Sequence, residues 1–175
     1  MRTNQKIDMQ GFKISSHEFI IREFCLMACD ASMLFHCMVN LPCEITELPL
    51  GYQKQVEWLT QNFHGLKWDS SNGYSVAHLR KMMHVMCEPD AIFYCKGTEK
   101  VDWIKKIFQL NIVKDVSDQG CTALNALNFN VSVKACTYHN PIEMCGCALR
   151  NVVQLQYWLK LQHSNVIEAI STISL

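Results

Sequence analysis

The segment ACTYHNPIEMCGCALRN, residues 135–151, places three cysteines and a histidine in the order Cys136-x2-His139-x5-Cys145-x-Cys147. Thiolate and imidazole are donors that Zn2+ takes into a tetrahedral set, and a C-x2-H spacing lets one turn present both. Cys145 and Cys147 are both available as the next thiolate, and with both bound the loop would supply four ligands by itself. A C-x-C pair on one ion is crowded where its second cysteine opens a helix, so one ligand and one bystander are expected. A loop that gives three ligands needs a fourth from elsewhere. Glu23 is the candidate, because it interrupts the apolar run FIIREFCLM, where a buried charge needs a partner. The strand pattern by itself favours a Glu23 that faces outward.

The elements that must position these residues belong to one domain, since 175 residues bury enough apolar surface for a single core. Sixteen basic and sixteen acidic side chains cancel, so any contact with nucleic acid has to be local. No apolar run is long enough to cross a bilayer, and the N-terminus lacks the continuous apolar core of a secretory signal, so an intracellular protein without membrane contact is expected. In that setting most of the ten cysteines should be reduced thiols. Cys25, Cys37 and Cys95 lie in strand-like runs and read as core.

Residues 1–15 are polar, show no period and read as a flexible lead-in; the domain is expected over 16–165, with a C-terminal tail over 166–175. FIIREFCLMACDA and MLFHCMV form a hairpin that turns at Asp30-Ala31-Ser32. YQKQVEWLTQNF puts Val56, Leu59 and Phe63 at helical spacing. Ser75 caps a second helix carrying Leu79, Met82, Met83 and Met86, closed by Pro89. AIFYC is a buried strand, EKVDWIKKIFQL a helix with Val101, Ile104 and Phe108 inward, and NIVKDV a further strand, which makes a β-α-β step. Leu149, Val152, Val153, Leu155 or Gln156, and Leu159 stripe the last helix. The sum is an α/β domain with a mixed sheet, an arrangement that a ribonuclease-H-like fold shares with several other α/β folds.

Three blocks of the chain resemble the Maelstrom domain, the ribonuclease-H-like module of a protein family of the piRNA pathway. FIIREFCLMACDASMLFHCMVNLPCEITELPLGY resembles its first hairpin with a strand glutamate, AIFYCKGTEKVDWIKKIF its central strand and helix, and CTYHNPIEMCGCALRNVVQLQYWL its C-x2-H-x(n)-C-A-L segment. The resemblance implies Zn2+ held by Glu23, Cys136, His139 and Cys147, with Ala148-Leu149 selecting Cys147 over Cys145. It also implies work in small-RNA transposon silencing in the germline, in cytoplasmic perinuclear granules or the nucleus, with single-stranded RNA and silencing-pathway proteins as partners. Animal members carry a high-mobility-group box that has no counterpart here, which suggests an isolated domain or a stand-alone relative.

The family is derived from DEDDh exonucleases, which hold two divalent ions on a carboxylate cluster. Here Ile21-x-Glu23 stands where those enzymes have Asp-x-Glu, Gly146 and Asn151 stand for the histidine and final aspartate, and Asp102 or Glu99 for a middle aspartate. That set is too thin for two-metal chemistry, so exonuclease activity is expected to be lost. The leading expectation is an RNA-binding domain that uses Lys96, Lys100, Lys105 and Lys106 on phosphates and Trp103, Trp68 or Tyr138 on bases. The alternatives are a metal-independent endoribonuclease, with His64, His84 or Glu99 as acid–base groups, and a protein scaffold anchored by Trp58, Phe63 and Trp68.

Overall fold

The strand at the centre of the sheet is the segment whose polarity marks it, in sequence, as a lead-in. The computed structural model describes residues 3–69, 73–127, 136, 138–139 and 146–173, so Cys145 lies outside the described residues. Among the described residues, five strands form one mixed sheet in the order β3-β2-β1-β4-β5. They are β1 (Asn4–Ser15), β2 (Glu18–Ala28), β3 (Leu34–Met38), β4 (Ile92–Cys95) and β5 (Val113–Asp115). The first three run antiparallel, and β4 and β5 run parallel to β1. The β2–β3 hairpin and the β4-helix-β5 step stand as the sequence predicts. The flexible lead-in over 1–15 does not.

Two features hide β1. Side chains alternate along a strand, and in β1 the apolar residues change faces midway. Ile7 and Met9 join the core with Leu79, Met83, Val101, Ile104 and Phe108, whereas Phe12 and Ile14 pack on the opposite side with Val56 and Leu66. The polar residues Lys6, Asp8 and Gln10 are buried, and each has a partner: Lys6 Nζ donates to Ala28 O at 3.1 Å and Gln10 Nε2 to Asp8 Oδ2 at 3.3 Å. Helices cover both faces of the sheet, so neither face has to be uniformly apolar along this strand.

A β-bulge sits where β1 and β2 cross from one core to the other. Gln10 lies opposite Glu23 but Gly11 lies opposite Ile21, which leaves Arg22 as the extra residue. The bulge turns the Arg22 guanidinium to Val39 O at 2.7 Å and Lys67 O at 3.2 Å. The two backbones approach so closely that a Cβ on Gly11 would stand 2.0 Å from the carbonyl oxygen of Ile20. Gly11→Ala is therefore expected to destabilise the domain by about 3 kcal/mol or more, read as a lower urea midpoint.

Among the described residues, four helices flank the sheet: α1 (Leu50–Asn62), α2 (Val76–Met86), α3 (Thr98–Phe108) and α4 (Ala148–Ile173). Ser75 Oγ accepts the His78 amide at 3.1 Å and caps α2 as predicted. Val101, Ile104 and Phe108 of α3 are buried, as their spacing requires. Phe63 does not continue the α1 stripe: it ends that helix and stays 43% exposed. Helix α4 runs past residue 166 to Ile173 instead of giving way to a tail.

Candidate metal centre and adjoining cleft

Glu23, Cys136, His139 and Cys147 come together beneath the start of α4. All four are buried, and their donor atoms lie within 4.8 Å of one another. Glu23 sits on the second strand, not the first, and is fully buried rather than facing outward. The bulge at Arg22 and the pairing of Gln10 with Glu23 put its carboxylate on the α4 side of the sheet. Cys147 stands immediately before α4, where its carbonyl accepts the Asn151 amide at 3.0 Å and its sulfur the Arg150 amide at 3.5 Å. The Arg150 amide favours thiolate at Cys147, against the hydrogen bond to Cys136 and burial, which raise its pKa.

The spacing of the donors fits an ion. Bonds of about 2.3 Å to sulfur and about 2.0 Å to oxygen, at a tetrahedral angle, place two donors about 3.5 Å apart. Glu23 Oε1 lies 3.8 Å from Cys136 Sγ and 3.6 Å from Cys147 Sγ. His139 Nε2 is 3.0 Å from Glu23 Oε2 but out of line for a hydrogen bond, which leaves a buried ring nitrogen without a hydrogen-bond partner. Nδ1 of the same ring bonds to the His64 carbonyl oxygen. As the donor in that bond, Nδ1 carries the ring proton and leaves the Nε2 lone pair facing the other three ligands.

The charges agree with this arrangement. Without an ion, burial pushes the Glu23 carboxyl up, but protonated His139 and His36 rings and the Ala148 amide, which donates to Oε2 at 2.9 Å, outweigh it and hold the carboxyl at about 2; a bound cation would take the place of the His139 Nε2 proton. The hydrogen bond between the two cysteines pulls the Cys136 thiol down and holds the proton on Cys147. A buried anionic cluster of this kind calls for a cation.

Beside the centre, Asp8 of β1 is fully buried and accepts from Lys100 Nζ at 2.6 Å and Asn151 Nδ2 at 2.8 Å. Burial raises the Asp8 carboxyl, and the Asp8 carboxylate raises Lys100 against the burial that pushes the ammonium down. The two partners of Asp8, Lys100 and Asn151, line a cleft of about 600 Å³ together with Gln10, Lys13, Phe19, Phe63 and Lys96. Sequence reasoning missed Asp8 because it lay in the supposed lead-in, although the buried carboxylate of the first strand is Asp8, with Gln10 two residues on. Gly146 precedes α4 rather than standing on it, and a Cβ at this position would stand 3.0 Å from His64 Cβ and 3.2 Å from Phe63 Cε1.

The four lysines expected on phosphate do not share one surface. Lys96 and Lys100 line the cleft, with Lys96 Nζ held by Ser117 Oγ at 2.8 Å and Cys121 O at 2.7 Å. Lys106 lies over the Trp103 ring and donates to His17 O at 2.8 Å, and Lys105 is exposed on the same helix. Trp103 is core and Trp68 half-buried, whereas Tyr138 and Trp58 are exposed. Glu99 and Asp102 line a separate groove with His17 and Lys106, and Glu99 pairs with Lys13. His64 is buried, with its pKa lowered to about 4 by burial, and His84 is exposed on α2. His36 also escaped sequence reasoning: its Nε2 is 2.7 Å from Glu23 Oε1. Only the pairing of β3 with β2 brings it there. No family model and no curated protein matches this chain.

Proposed function

We propose that this chain is a Maelstrom-type, ribonuclease-H-like domain stapled by Zn2+, and that it binds single-stranded RNA in small-RNA-guided silencing. The strand order, with three antiparallel strands followed by two parallel to β1, supports the fold assignment. Two thiolates, an imidazole and a carboxylate suit Zn2+ better than a hard cation such as Mg2+. When bound, Zn2+ supplies a cross-link and no chemistry on substrate, because four protein donors leave no position open for water. The silencing pathway rests on the resemblance of the three sequence blocks.

The observation that carries RNA binding is the cleft beside the metal centre. Asp8, buried behind the cleft wall, is neutralised by Lys100 of the chain itself, and Lys96 adds positive charge along the wall while Phe19 and Phe63 offer rings. Cations that track a backbone and aromatic faces that take bases are what a single strand requires. Binding of labelled single-stranded RNA over a salt series tests this. Affinity is expected to fall with salt, and Lys96→Ala is expected to lower the slope of log K against log salt by about 0.7. Absent or salt-insensitive binding defeats the reading. RNA cut in the presence of chelator, with cutting lost in a point variant, would mark the domain as a metal-independent endoribonuclease instead.

A further inference from the structure

We infer that His36 is a positioning residue that holds Glu23 in place as a metal ligand and governs how long the ion is retained. The inference rests on the metal-centre reading above and extends it to a residue outside the Glu-Cys-His-Cys set. His36 lies on β3 opposite Cys25, and Met38 lies opposite Glu23, so His36 is the diagonal neighbour of Glu23 on the same face of the sheet. Its Nε2 is 2.7 Å from Glu23 Oε1 and 3.9 Å from Cys136 Sγ.

The distances separate the two roles His36 could have. A nitrogen and an oxygen bound to one tetrahedral ion stand about 3.3 Å apart, whereas 2.7 Å is the length of a charge-assisted hydrogen bond. His36 thus donates to the carboxylate and does not share the ion with it. With Ala148 N–H on Oε2 and His36 on Oε1, each carboxylate oxygen is held by a donor from a different element. The orientation of Glu23 is then set before any ion arrives, as an outer hydrogen bond does for a ligand.

His36 also faces the solvent side of the centre. Its side chain is 14% exposed where that of Glu23 is fully buried. The ring packs edge-on against Tyr138, with centroids 5.1 Å apart, and Tyr138 lies within the metal-binding loop. Loss of the His36 donor loosens the one ligand contributed by the sheet, on the side where water and chelator approach.

The experiment uses the zinc-loaded chain and its His36→Phe, His36→Ala and His36→Gln variants. Phenylalanine keeps a ring against Tyr138 without a donor, and glutamine keeps a donor without the ring. Phe35→Ala, on the same strand and the opposite face, measures what loosening β3 does alone. Metal content, the rate of zinc release to a chromogenic chelator and the visible spectrum of the Co2+-substituted protein are recorded for each. One equivalent of zinc is expected throughout, with release about 10–100-fold faster in His36→Phe and His36→Ala. Their Co2+ bands should shift, and His36→Gln should restore most of the wild-type rate and spectrum. Release at the wild-type rate in both donorless variants, or equal acceleration in Phe35→Ala, overturns the role of His36 while leaving the metal centre intact. A folded wild-type protein without stoichiometric metal overturns the centre and this role together.

Discussion

Replacing Cys136 by serine, or His139 by alanine, is expected to strip the protein of its metal and lower its melting temperature by about 10 °C or more. Binding of a structural Zn2+ is folding free energy, about 10–16 kcal/mol in small zinc-dependent domains that have little other core. This chain has a substantial core of its own, packed on both faces of the sheet, so part of the fold should survive. Loss of even about 4 kcal/mol, at roughly 2–4 °C per kcal/mol for a domain of this size, gives the stated shift. The damage should concentrate where the centre ties β2 to the loop and to the start of α4, since Glu23 meets Cys136, Cys147 and Ala148 there. Metal analysis and calorimetry on the two variants, with Cys145→Ser as a control expected to keep one equivalent, decide the matter. A variant that loses zinc and melts unchanged would show that the ion is not a staple.

Lys100→Met is expected to destabilise the domain by about 3–5 kcal/mol, because it leaves Asp8 as a buried carboxylate without its counter-ion. The reverse change is milder. Asp8→Asn keeps the shape of the side chain and exchanges one acceptor oxygen for a donor, which the Asn151 amide can meet by turning its oxygen over, and the Lys100 it leaves behind is 24% exposed and can turn to the cleft. A cost of about 1–2 kcal/mol follows. Combining the two substitutions should recover most of the loss in Lys100→Met, so the pair is strongly non-additive. Urea unfolding of the four proteins measures the coupling. Independent effects that simply add would mean that Asp8 and Lys100 do not depend on one another, and the cleft would lose its internal counter-ion.

The pairing of Asp8 with Lys100 has a counterpart in what the sequence could and could not say. Lys100 was legible as one of several lysines on an amphipathic helix, but its partner is 92 residues away on a strand with no visible period. A cluster of four lysines on paper separates in space, because a helix turns about 100° per residue and its neighbours meet different parts of the sheet. Glu23 shows the same limit from the other direction. Strand alternation alone argues for solvent, the resemblance argues for a ligand, and burial at the β2 bulge beside β1 puts its carboxylate among the cysteines and His139.

What the sequence by itself determined is local. Helical spacing placed Val101, Ile104 and Phe108 inward, Ser75 announced the start of α2, and branched and aromatic runs marked the β2–β3 hairpin and β4, because each signal depends on neighbours within a turn or a strand. It also supplied the donor types of the centre, three of them within a dozen residues. Only the tertiary structure decided that residues 4–15 are the middle strand, that a bulge and Gly11 let two backbones meet, and that Asp8 and His36 flank the four residues that could hold a metal. Those outcomes depend on strand pairing and on cover from both faces of the sheet, which stabilise polar residues that no local rule would bury.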